Sequence, residues 1–185
     1  MIKQEVPFGQ MSTKANFVFC FFFARKCNPY DGYELNDIPE VNLVLLQMRW
    51  DGLFGACGGT VESTDMSLQD ACYREVLEEM NYSLDISKLK PLKSLEFYSG
   101  SISHSYSYEV SYDELKEIRN NYAQAKHASA EVAGVNLCHI SRYSKGQNKE
   151  AGYNCLMTQN FVGSAKYELE CLVESENLLI SYLGD

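Results

Sequence analysis

Residues 58–81 read GGTVESTDMSLQDACYREVLEEMN, and how this stretch is read decides the fold. Two glycines open it, an acidic turn follows, and the remainder has a helical period. Leu68, Ala71, Cys72, Val76 and Met80 fall on one apolar face. The spacing predicts a helix over residues 67–80, with Asp65 or Ser67 as its N-cap and Asn81 in the left-handed conformation that ends it. Glu75, Glu78 and Glu79 stand at i, i+3 and i+4, so the helix carries three carboxylates on one face. Carboxylates crowded this way call for a positive charge among them. Hard oxygen ligands suit Mg2+ or Mn2+ rather than zinc.

Outward from this stretch, the chain reads as alternating strands and helices. Residues 17–24 are an apolar run of about eight, too short for a membrane span of ~20 and suited to a buried strand. A turn-rich segment follows over residues 26–40, then a second apolar strand over residues 41–50. The two could form a hairpin or stand as neighbours in a larger sheet. Residues 92–98 and 103–111 read as two more strands, the second alternating Tyr and Ser. A helix is expected over residues 112–128 with Leu115 and Ile118 inward, a strand over 131–140, a polar loop over 142–152, and a last helix over 160–179.

The 185 residues suffice for one domain, and a hydrophobic content of 45% excludes compositional disorder. A formal net charge of −9 argues against a broad electrostatic grip on nucleic acid, while leaving room for a local basic pocket. Seven cysteines without a CxxC pair read as reduced thiols of an intracellular protein, several of them core filler. No convincing targeting segment is present; nucleus and cytoplasm both stay open, and no membrane association is expected.

The stretch resembles the Nudix box, G-x5-E-x7-R-E-U-x-E-E-x-G-U with U aliphatic. Arg74, Glu75, Val76, Glu78 and Glu79 match its second half without change. The first half departs from it. Asp65 stands where Glu is usual, one extra residue precedes Arg74, and Asn81 replaces the last glycine. These departures are similar to the snoRNA-decapping and inosine-diphosphatase Nudix enzymes, as are LLQMRWDG, GVNLCHI and NFVGSAKYEL in the same order. The resemblance implies a Nudix α/β/α sandwich with a mixed sheet, in a single domain over residues 15–185 behind a tail at residues 1–14. It also implies a homodimer. The implied activity is divalent-metal-dependent hydrolysis of a nucleoside diphosphate linked to another group. Substrates would be capped RNA, inosine or deoxyinosine di- or triphosphates, or NAD- and ADP-ribose-type dinucleotides. The alternative is a catalytically inactive scaffold that binds RNA or a partner protein; it would be expected to lack part of the acid set, which here is complete.

The same resemblance implies the site. Gly58, Gly59, Glu75, Glu78 and Glu79 would hold Mg2+ or Mn2+. Glu79 and Glu131 would be catalytic, Glu131 as a ligand or general base, against the plainer reading of an exposed loop acid. Arg74 would pair with Glu62 or Asp65 and lock loop to helix, so all three are structural. Arg49 would contact phosphate or base, or else form a surface ion pair. Phe19 stands where relatives carry a base-stacking His and would stack on a purine. Ala56 and Cys57 replace an aromatic–proline pair of the relatives, so a stacking wall is lost and the purine preference with it comes into question. Gln159 and Asn160 would read a base edge, unless Asn160 serves as a helix N-cap. Cys57 is not expected to be a nucleophile.

Overall fold

The computed structural model describes residues 1–29, 40–143 and 151–182. The apolar runs become the centre of one mixed sheet. β2 (Asn16–Cys27) and β3 (Val41–Arg49) pair antiparallel in it, as neighbours in a larger sheet. Phe21, Phe22 and Phe23 are fully buried, so β2 is covered on both faces. Each such ring contributes roughly 2 kcal/mol of burial. β1 (Ile2–Glu5), β4 (Phe54–Gly55), β5 (Cys57–Thr60), β6 (Lys90–Phe97), β7 (Ile102–Glu109) and β8 (Val132–His139) complete the sheet. Its order is β1-β6-β7-β2-β3-β4, with β5 added on β2 and β8 on β3. The β2–β7 pair is parallel and the other pairs are antiparallel. β9 (Ser141–Tyr143) and β10 (Ile180–Tyr182) form a small parallel pair apart from it.

Helices cover both faces. α1 (Leu68–Met80) and α2 (Tyr112–Asn121) pack on one face, where Val76, Met80, Leu115 and Ile118 join Phe22, Leu43 and Tyr108. α4 (Tyr153–Leu156) and α5 (Ala165–Ser175) cover the other, where Leu156, Leu169 and Leu172 join Phe21, Phe23 and Leu46. A short turn of helix, α3 (Ala128–Glu131), leads into β8. Among the described residues no helix is long and apolar enough to cross a membrane.

Several boundaries differ from the sequence reading. Residues 1–14, expected as a tail, contain β1, which pairs antiparallel with β6. The helix expected over residues 112–128 stops at Asn121; a 3-10 turn follows, and Ala125 is extended. The last helix is shorter at both ends. Residues 160–162 instead run beside β4, where Phe54 N–H donates to the Asn160 carbonyl and Val162 N–H to the Phe54 carbonyl. Gly163, at φ 54°, then turns the chain into α5. Asn160 is therefore no N-cap; Ser164 holds that position. Most of the turn-rich segment at residues 26–40 and of the loop at 142–152 lies outside the described residues.

One irregularity positions the site. β2 pairs with β3 through Phe23–Cys27 but with β5 through Phe17–Cys20. The sheet forks there: the far end of β3 pairs with β4 instead, while β8 runs along the other edge of β3 from Leu43 to Arg49.

Candidate active site

α1 is built as its sequence dictates. The Ser67 hydroxyl accepts from Asp70 N–H at 3.1 Å. Asn81 closes the helix at φ 51°, its N–H donating to the Leu77 carbonyl. Glu75 and Glu79 are buried on the helix and Glu78 is partly so. Arg74 stands among the acids. Its guanidinium donates to both Asp65 oxygens at 3.0 Å, to Glu75 at 3.0 Å, to Glu78 at 3.2 Å and to the Thr60 carbonyl at 2.8 Å. Glu62 lies further off, at 3.8 Å. One planar cation thus joins β5, the acidic turn and α1. It holds the Asp65 carboxyl below the usual range, and its own proton is bound more tightly in return.

The three helix acids sit in different environments. Lys126 donates to Glu78 at 2.6 Å and, with Arg74, lowers its pKa. Burial raises that of Glu75 despite Arg74. Burial pushes Glu79 up to about 7, against hydrogen bonds from Gln47 at 3.0 Å and from Gly58 N–H at 2.9 Å. Gly58 is required by the backbone against it, and Gly59 leaves the Glu75 carboxylate its place. A Cβ on Gly58 would lie 2.0 Å from the Val18 carbonyl oxygen, and one on Gly59 would lie 2.8 Å from both Glu75 oxygens. Cys57 is buried beside Glu79, and both effects hold its thiol protonated.

The donor set fits a hard divalent cation. Its carboxylates are crowded and partly desolvated, and Glu75 occupies a cradle that a side chain at residue 59 would fill. Among the described residues no three His, Cys, Asp or Glu side chains already converge on one point. Arg74 stands between Glu75 and Glu78, and Glu79 turns toward Gln47 and Gly58.

At the fork a cavity of about 230 Å³ opens beside these acids. Gln47, Gly58 and Glu79 line one part of it, with Arg49 and Glu131. Phe17, Phe19, Ala56, Phe97, Val162 and Glu168 line the rest. Arg49 also forms a 3.0 Å ion pair with Asp51. Glu131 ends α3 rather than opening a strand; it is exposed, 3.8 Å from the His127 ring. Gln159 is exposed, bonded to the Cys155 carbonyl, and lies outside the lining of this cavity. Three contributors escape sequence reading: Gln47, Lys126 and Glu168. Gln47 had a signal, a polar residue inside the run VNLVLLQM. Glu168 had none, since one Glu in an amphipathic helix reads as surface.

Comparison with known proteins agrees with this geometry. Residues 16–179 match the family described as Nudt16-like, U8 snoRNA-decapping enzyme-like. The U8 snoRNA-decapping enzyme of Xenopus laevis is 27% identical over 147 residues, 77% of this chain and 68% of that protein. The Tudor-interacting repair regulator protein of Mus musculus is 27% identical over 164 residues, 88% of this chain and 75% of that protein. Among solved structures, the NUDIX domain of Shewanella oneidensis NrtR, complexed with ADP ribose, superposes with a TM-score of 0.57. It is 17% identical and covers 90% of both chains. With its box residues gathered on α1 and β5 and the family match spanning nearly its whole length, the chain belongs to the Nudt16-like family of Nudix hydrolases.

Proposed function

We propose that this chain hydrolyses the pyrophosphate link of a nucleoside diphosphate joined to another group, a capped RNA or a free nucleotide, with Mg2+ or Mn2+. The observation that carries the reading is that Glu79 lines the same cavity as Arg49 and Phe19. Acid, phosphate-binding cation and aromatic wall share one space. Glu75, Glu78 and Glu79, with the carbonyl of Gly58 or Gly59, are the residues that would hold the metal. When bound, the metal neutralises phosphate charge and makes water a better nucleophile.

The remaining work falls to the chain. Arg49 binds the phosphates and Phe19 stacks on the base. Arg74 holds the box together without touching substrate. A water adds to one phosphorus, and the bond from that phosphorus to the bridging oxygen breaks. The bridging oxygen leaves with its electron pair on the other phosphate, and the water's proton passes to Glu79 or Glu131.

Binding without turnover is the second reading. One relative, at the same 27% identity as the decapping enzyme, is named for an interaction, the Tudor-interacting repair regulator protein, and that name alone prompts it. The unbroken acid set favours hydrolysis. A panel of inosine diphosphate, ADP-ribose, NAD and a capped RNA, each with Mg2+ and with Mn2+, separates the two. Turnover of at least one, lost in Glu79→Gln, is expected. No turnover of any, with retained RNA or protein binding, would establish the second reading.

A further inference from the structure

Glu78 differs from its two acidic neighbours on α1 in having a separate cation on each carboxylate oxygen. The Arg74 guanidinium donates to its Oε2 at 3.2 Å and the Lys126 ammonium to its Oε1 at 2.6 Å. The two cations are held differently. Arg74 is also bonded to Asp65, Glu75 and the Thr60 carbonyl, and its side chain is 22% exposed. The Lys126 side chain is 69% exposed, and its ion pair is with Glu78. An ammonium on a flexible four-carbon stem yields to a competitor where a bonded guanidinium fork does not.

Lys126 also sits on a segment that Glu78 anchors a second way. It lies between the 3-10 turn Tyr122–Gln124 and α3. The next residue, His127, donates its backbone N–H to the Glu78 carbonyl at 2.9 Å. Its ring lies 4.0 Å from Glu78 Oε2 and 3.8 Å from Glu131 Oε1. One helix acid therefore holds, by main chain and by side chain, the segment that ends in Glu131, which lines the cavity. The main-chain tie leaves the carboxylate out. The Lys126 tie uses it.

We infer that Lys126 is a positioning residue that competes with the divalent cation for Glu78, so that metal loading and release of the Lys126 side chain are one event. The inference rests on the metal-binding part of the proposed function and adds a residue that weakens the site. A cation arriving at Glu78 meets a like charge on the same carboxylate. Between a single and a double charge at roughly 5 Å, water-like screening still leaves an effect of about tenfold on affinity. The coupling is reciprocal. The ammonium lowers the affinity of the acids for the metal, and the bound metal frees the ammonium and loosens its hold on the segment that carries Glu131.

Two measurements test this, and neither reads turnover. The first is calorimetric titration with Mn2+ of the wild type, Lys126→Met, Lys126→Arg and Lys3→Met. Lys3 pairs with Glu96 on β1, at the outer edge of the sheet, so its loss removes the same charge far from α1. Lys126→Met is expected to bind Mn2+ about tenfold more tightly than the wild type, and the other two variants within about twofold of it. The second is acylation of lysine amines by a soluble N-hydroxysuccinimide ester, read residue by residue by mass spectrometry with and without Mg2+. Lys126 is expected to react several-fold faster with Mg2+, and Lys3 at an unchanged rate. Unchanged or weaker Mn2+ binding by Lys126→Met, equal tightening in Lys3→Met, or a Lys126 reactivity indifferent to Mg2+ would overturn the inference and leave the metal reading standing. Failure of all four chains to bind Mn2+ would remove both, so the two failures are distinguishable.

Discussion

The Gly58 backbone N–H donates to the Glu79 carboxylate at 2.9 Å, while the Gly58 α-carbon leaves no room for a side chain against β2. At φ 147° and with Val18 O only 2.0 Å from a would-be Cβ, Gly58→Ala would push β5 off β2. A loss of about 2–4 kcal/mol is expected. Denaturant unfolding checks it, and a loss below about 1 kcal/mol would contradict the close approach.

Glu79→Gln separates chemistry from stability. Gln47 and Gly58 N–H both donate to one oxygen of Glu79, and an amide can present its oxygen there. Turnover is expected to fall by two or more orders of magnitude with the melting temperature unchanged or raised. Unchanged hydrolysis by this variant would remove Glu79 from the site.

Arg74→Lys is not conservative here. A single ammonium cannot make the fork to Asp65 and also reach Glu75, Glu78 and the Thr60 carbonyl. About 2–3 kcal/mol of stability should be lost, with activity falling because β5 and α1 lose their common tie. Asp65→Asn should lose part of the same stability. The double variant should lose less than the sum, which a double-mutant cycle measures.

Two buried groups should give stability opposite pH dependences. Burial pushes Glu168 up to about 7, so the folded chain keeps a proton that the unfolded chain releases near 4.5. Its contribution is full below about 4.5 and lost as pH rises through 7. Burial pushes His104 down to about 4, where it is bonded to the Ser94 hydroxyl at 2.7 Å. The folded chain refuses a proton that the unfolded chain takes up near 6.5. That contribution is full above 6.5 and lost as pH falls through 4. Each is worth about 3 kcal/mol across its window. Relative to wild type, Glu168→Gln should gain stability from pH 5 to 8, and His104→Leu should gain from pH 6.5 down to 4.5. Flat differences in denaturant unfolding would show that burial does not set these affinities.

The parts of the fold legible in the sequence were those governed by local chemistry. The apolar face, the Ser67 cap and the Asn81 stop of α1 lie within one stretch and agree with one another. The central strands announced themselves by apolar runs. The Tyr–Ser alternation of β7 was also visible, and both its faces prove buried. Its Ser face serves α5, through Ser103 to Glu168 and Ser107 to Glu176, which no local pattern encodes. The same holds for the fork in the sheet, because a strand that changes neighbours keeps its own periodicity. Gln47, Lys126 and Glu168 reach the site only through that long-range pairing. Residues 160–162 were read as helix because a helical period continues through them. Pairing with Phe54 overrides it.

β1 also has a protective role at the margin of the sheet. Without residues 2–5, the outer edge of β6 would present unpaired N–H and carbonyl groups, a template for a strand from another molecule. β1 is itself a poor template: it is four residues long, and Lys3, Gln4 and Glu5 are exposed. Just beyond it, Phe8 lies edge-on to both His104 and Tyr106. The first eight residues thus act against aggregation and also help cover an imidazole that burial holds neutral. A chain trimmed there would be stickier, and its His104 would titrate nearer to neutrality.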